Sequence, residues 1–336
     1  MHYANYAFPA LAFGGFGVDI FFIISGFIIA FMVSKNTDNF IIKRIIRIVP
    51  LYWIATFITI LLAVIFPKWF NNTTIEFSAI IKSLLFIPYK IGSSGPVILA
   101  GWTLNCEMLF YLVMGLCICF VKNKKYLTIT CISILVVFII VLNVINSDIY
   151  IFQFYQTQGL FSEFIYGIVL YHIYTFFNRH INKKGYNQNS KDTIKIISLA
   201  LLAVFSFLFL IFGNKWGIKI SVNRNIQTGI PALMLVIALL FFEKYINGNN
   251  SIVKFGVKLG DASYAMYLFH PFFIYFFQRL IFPRLIGNNG NLIIEVLKLL
   301  ISLTITTIGS IFIYKFIDNS IQIQLKKYFK KIKLIK

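Results

Sequence analysis

The sequence predicts an all-α polytopic bundle of transmembrane helices. Three observations carry that expectation. Apolar runs of about 20 residues, the length that crosses a bilayer, recur along the chain. Charged residues are scarce, and the basic ones gather in alternate connections.

Of 336 residues, 59% are hydrophobic and 12% charged, with 38 Phe and 18 Tyr. A soluble domain carries about 25% charged residues, and a water-soluble fold of this length could not hide so much apolar surface in one core. The bilayer takes the rest. Only helices and closed barrels span lipid, and these runs do not alternate in polarity as barrel strands do.

Nine runs have the length of a span: about 17–34, 50–66, 98–121, 126–145, 158–178, 193–212, 226–246, 261–282 and 292–317. Bases cluster at Lys35–Arg47, Lys122–Lys125, Arg179–Lys195, Lys244–Lys258 and Lys315–Lys336. The alternate connections hold far fewer, so the positive-inside rule places the first set in the cytoplasm and the C-terminus with it. The net charge of +20 is explained by this rule, and nucleic acid is set aside as a partner. Residues 67–95 form the longest external connection and are expected to carry a short interfacial helix. The whole chain, 1–336, reads as one membrane domain with a basic cytoplasmic tail over 318–336. No basic segment ahead of Phe8–Phe13 suggests a cleavable signal peptide.

Cys106, Cys117, Cys119 and Cys131 all fall in apolar runs without zinc spacing, and read as small buried residues. No metal or prosthetic group is called for. Ionisable groups inside a span are costly, so each needs a reason. Asp19, Glu107 and Glu163 fall in the outer portions of their runs, and His270 near mid-depth.

Asp19, Phe22 and Gly26 share a helix face, and Gly26 would let another helix approach closely. Asp19 equally fits a helix-dipole role near an N-terminal end. Thr103, Glu107 and Tyr111 are four residues apart and line one face, as a polar site or as an interhelical hydrogen bond. Ser263, Tyr267 and His270 share another face, and Pro271 after them is expected to kink or break the helix. Lys43, Arg44 and Arg47 cluster on one helical side, with Pro50 fitting the start of the next span. Such a cluster serves phosphate binding or simple anchoring beside anionic lipid. His172 and His180 lie near a cytoplasmic end and look incidental, and the depth of His2 cannot be judged from pattern.

These segments together resemble the acyltransferase 3 family of membrane O-acyltransfer enzymes, particularly its exopolysaccharide-acetylating bacterial members. The carriers are GVDIFFIISGF from Gly17, RIIRIVPLYW from Arg44, SLLFIP from Ser83, GWTLNCEMLFY from Gly101, EFIYG from Glu163 and GDASYAMYLFHP from Gly260. They occur in the family's order along the chain.

The resemblance implies about ten helices in the bacterial inner membrane. It also implies an acyl-CoA co-substrate used from the cytoplasm, usually acetyl-CoA, with no bound cofactor. The acceptor is a saccharide hydroxyl, on a polysaccharide or lipid-linked glycan, at or crossing to the outer face. It implies a critical histidine shortly before the GVD segment, the place His2 occupies, and a helix preceding it, so the expected start of the protein lies upstream of Met1. Asp318 stands where many members have a Glu-Pro pair.

On this resemblance His2 is base or transient acyl carrier, with Asp19 orienting it. Arg44 and Arg47, with Lys43, hold the CoA phosphates. Glu107, with Thr103 and Tyr111, lines the acceptor end, Tyr267 and His270 line the thioester path, and Glu163 and Ser263 line the substrate path. The rival class is a transporter or flippase of a lipid-linked saccharide, for which paired inverted repeats are expected and not seen.

Overall fold

The computed structural model describes residues 16–67, 75–90, 95–98, 100–145, 148–183, 193–204, 225–243, 248–285, 292–332 and 334. Among them every regular element is a helix. His2 lies outside the described residues.

The helices are α1 (Phe16–Lys35), α2 (Phe40–Ile65), α3 (Phe77–Leu84), α4 (Gly101–Phe120), α5 (Lys124–Val144), α6 (Tyr150–Gln158) and α7 (Phe161–Lys183). After α8 (Thr193–Val204) come the π-helical turn Asn225–Gly229, α9 (Ile230–Phe242), α10 (Ser251–Phe276) and α11 (Phe282–Leu285). The last stretch is α12 (Leu292–Ile313), a π-turn over Tyr314–Asp318, and α13 (Asn319–Lys331).

Six helices among the described residues are long and apolar enough to cross a membrane, or seven if α6 and α7, bent by 49°, form one span. The chain is thus a multi-pass membrane protein, and the described residues account for six or seven of the nine expected spans. The runs at 193–212 and 226–246 supply described helices of only 12 and 13 residues. The second run also begins earlier than expected. The helix starts at Phe40 and carries Pro50 in its interior rather than at its start. A proline forfeits one ladder bond, and the apolar turns on either side keep α2 continuous across that gap. At Pro271, where the sequence predicts a kink or a break, the helix does not break: α10 runs on to Phe276.

The chain forms two compact units, one of residues 1–37 and 106–246, the other of 38–105 and 247–336. In the first, α1 packs along α7. A Cβ built on Gly26 would overlap the Phe164 carbonyl, and one on Gly167 would overlap the Ile23 carbonyl. Each glycine therefore receives the other helix's backbone, the close approach that small residues allow in lipid. Phe164 locks the crossing, edge-on to Phe22 at 4.7 Å and stacked on Phe110 at 4.0 Å. Further along, the Tyr171 hydroxyl donates to Ser34 Oγ at 2.7 Å. Contacts thus advance together along both helices, which run parallel.

In the second unit α2, α10, α12 and α13 pack together, with α3 against α2. The Tyr264 hydroxyl donates to the Ile48 carbonyl at 2.8 Å, and Tyr52 shares a 2.9 Å hydrogen bond with Ser83. Tyr52 lies 12 residues into the 26-residue α2, or about 18 Å at 1.5 Å per residue. The expected short helix of the external connection is present as α3. The non-helical segment after it, however, reaches the middle of α2, where the Tyr52 ring stacks on Phe86 at 4.7 Å. Irregular backbone at that depth is tolerated only where protein buries it or it lines a watery cavity.

Candidate functional site

Three carboxylates lie at one end of the first unit. Asp19 and Glu163 occupy the first turns of α1 and α7, and both are fully buried. A first-turn position favours negative charge, because the helix dipole is positive there. Glu107 is one turn further into α4 and 3% exposed. Its Oε1 accepts from the Tyr111 hydroxyl on its own helix and from Ser25 Oγ of α1 at 3.4 Å.

Ser25 is six residues beyond Asp19 on α1, about 9 Å along the axis, while Glu163 sits beside Phe164 at the Gly26 crossing. All three acids therefore fall within a few turns of depth. Glu163 also lies against Gly229 of the π-turn. Sequence reasoning did not single out Ser25, Gly167 or that π-turn. Both glycines stood in quoted segments, but pairing them needs a contact that spacing cannot reveal.

Thr103 belongs to the second unit. The Thr103 and Tyr267 hydroxyls each stand 3.0 Å from the Ala100 carbonyl and pair with one another, their two protons shared among the three contacts. Tyr267 thus fastens α10 to the entry of α4. A Cβ on Gly101 would stand 2.7 Å from the Tyr52 hydroxyl. Gly101→Ala should therefore push Tyr52 off Ser83 and lower stability by ~1 to 3 kcal/mol, read as a fall in melting temperature in detergent. Tyr89, in the same irregular segment, is 4% exposed. Burial first, and Tyr52 second, push its phenol up to about 12, so it stays a neutral hydroxyl at working pH.

His270 makes a local bond with a definite cause. In an α-helix the Tyr267 carbonyl would accept the backbone N–H of residue 271, but Pro271 has none. His270 Nδ1 stands 2.8 Å from that carbonyl and fills the gap. A carbonyl only accepts, so Nδ1 carries the proton and Nε2 is the nitrogen with the free lone pair when the ring is neutral. Ser263, expected on the same face, is exposed. The buried hydroxyl of that segment is Tyr264, since the inward stripe runs through Ala262, Ala265, Leu268 and Phe269.

Of the basic cluster, Arg44 is 5% exposed with its guanidinium 5.7 Å over the Phe40 ring, whereas Arg47 is exposed and Lys43 half-buried. A cation that only anchors a helix at the lipid surface is expected to stay accessible to the headgroups, whereas Arg44 is buried against protein. Cys106, Cys117 and Cys131 are buried as expected, while Cys119 is exposed. His172 shares a 2.9 Å hydrogen bond with Thr128, linking α7 to α5.

The sequence profile of a family described as acyltransferase domain matches residues 1–315. The chain is also similar to a curated protein named exopolysaccharide production protein ExoZ, from Rhizobium meliloti strain 1021, with 32% identity over 269 residues. That match covers 78% of this chain and 77% of the relative. No solved structure matches. The chain is an acyltransferase, and it belongs to the acyltransferase 3 family.

Proposed function

We propose that this protein moves an acetyl or other short acyl group from cytoplasmic acyl-CoA to a hydroxyl of an exported or cell-surface polysaccharide. The observation that carries the reading is the family match over residues 1–315, joined to a relative named for exopolysaccharide production. The setting is the bacterial inner membrane with a cytoplasmic C-terminus, and the basic stretch 318–336 is its cytoplasmic tail.

His2 serves as base for the acceptor hydroxyl or briefly carries the acyl group, and Asp19 of the first unit orients it. Glu107, held by Ser25 and Tyr111, lines the acceptor end with Glu163. A buried carboxylate with fixed donors keeps its geometry as charge develops nearby. In the second unit, Arg44 and Arg47 with Lys43 bind CoA phosphates through the planar guanidinium fork. Thr103, Tyr267 and His270 line the way to the thioester, with Ser263 on its exposed side.

Deleting the gene and comparing surface polysaccharide by mass spectrometry tests the reading. O-acyl groups should vanish while polymer amount is unchanged, and complementation should restore them. Loss of the polymer itself would point to transport instead. His2→Ala, made in the full protein as cells express it, should abolish acylation at unchanged protein level.

A further inference from the structure

We infer that His270 is an acid–base group of the donor site: its Nε2 hands a proton to the thiolate leaving the acyl-CoA. This rests on the transfer reaction proposed above and deepens it. Two observations within the second unit carry it.

The first is the pinned ring. Pro271 deprives the Tyr267 carbonyl of its backbone donor, and His270 Nδ1 supplies one at 2.8 Å. With Nδ1–H committed to its own helix, Nε2 is the ring nitrogen left to exchange a proton. A histidine fixed through one nitrogen and open at the other is the arrangement that acid–base work needs. His270 is half-buried rather than sealed.

The second is its level along the helices. Tyr264 meets Ile48 and, one turn on, Tyr267 meets Ala100, the residue before the Gly101 that abuts Tyr52. Thus α10 and α2 advance in parallel. Arg47 and Arg44 precede Ile48 by one and four residues, and His270 follows Tyr264 by six. At 1.5 Å per residue, His270 stands roughly 10 to 15 Å beyond the guanidinium groups. An extended pantetheine arm separates CoA's phosphates from its sulfur by a span of that order, so phosphates at Arg44 and Arg47 bring the thioester level with His270.

The step balances. The imidazolium holds a solvent-derived proton on Nε2. As the acceptor oxygen bonds to the acyl carbon, the C–S bond breaks and its electron pair stays on sulfur. Nε2 gives its proton to that thiolate, forming the S–H of free CoA and leaving a neutral Nδ1–H ring. The proton shed by the acceptor hydroxyl balances the one used. Transfer runs downhill, because thiols hold protons about two pH units more tightly than imidazole.

A merely structural histidine would have one duty, capping the Tyr267 carbonyl, and Pro271→Ala removes that duty by restoring a backbone N–H. His270→Ala is therefore made in both the wild-type and the Pro271→Ala background. Turnover is measured in membranes with acetyl-CoA and acceptor polysaccharide, and folded protein is quantified by size-exclusion chromatography. The inference predicts that kcat falls by about 10²-fold in both backgrounds, with KM for acetyl-CoA unchanged. Loss of less than about tenfold in either background, or a loss seen only in KM, overturns it. If wild type and Pro271→Ala both transfer no acyl group, the function reading itself has failed, a result separable from either outcome for His270.

Discussion

Gly167→Leu should remove most folded protein from the membrane. Even alanine at this position places a Cβ on the Ile23 carbonyl, close to Phe27 N and the Gly26 Cα. None of these is a flexible side-chain end that could swing aside. Relief requires α1 and α7 to separate, which would open the Phe22–Phe164–Phe110 cluster. Overpacking a core by a few methylenes costs about 1 to 3 kcal/mol, and a backbone collision belongs at or above the upper end. Total stabilities of roughly 5 to 15 kcal/mol leave little room for that. Gly167→Ala should lower the melting temperature clearly, and leucine should leave only aggregate. Gly256→Ala is the control, because nothing lies within 4 Å of a Cβ there, and it should be neutral or slightly stabilising. Equal melting of Gly167→Leu and wild type would show that the helices do not cross this way.

Arg44→Ala should raise the KM for acyl-CoA by about 10- to 100-fold, the worth of a hydrogen bond to a charged group. Arg44→Lys should recover part of the loss, since an ammonium keeps the charge but not the bidentate fork. Arg44 is nearly buried and Arg47 exposed, so Arg47→Ala supplies the same test with little risk to folding. Its KM should rise while its melting temperature stays put. Unchanged KM in both variants would return the cluster to its simpler role of anchoring the chain beside anionic lipid.

What the sequence disclosed was whatever is local. The first, third and fourth expected runs match α1, α4 and α5 to within a few residues, because a span is one long apolar stretch bounded by polar residues. The start of α2 was missed because FIIKRIIRIV is too basic for a span, yet nothing in it breaks a helix. Of the runs at 193–212 and 226–246, the described residues include the helices Thr193–Val204 and Ile230–Phe242. Helical spacing put Asp19 with Gly26 and Glu107 with Tyr111 correctly on shared faces, but a face does not name its neighbour. Ser25 opposite Glu107, Gly167 opposite Gly26 and Ser83 beside Tyr52 are separated by 82, 141 and 31 positions. Only the packed chain brings them together. The His270–Pro271 pair was local: a proline that orphans a carbonyl beside a residue able to fill it can be read from the two letters, although the expected break did not follow.

The most direct test follows the acyl group itself. Inside-out membrane vesicles containing the full protein are given radiolabelled acetyl-CoA, and label in base-labile ester linkage to polysaccharide is counted beside free CoA thiol. The account predicts that label enters the polymer as thiol is released in equal amount, both depending on Arg44 and Glu107. Polymer that stays unlabelled in vesicles whose protein is folded and supplied with acceptor would contradict it.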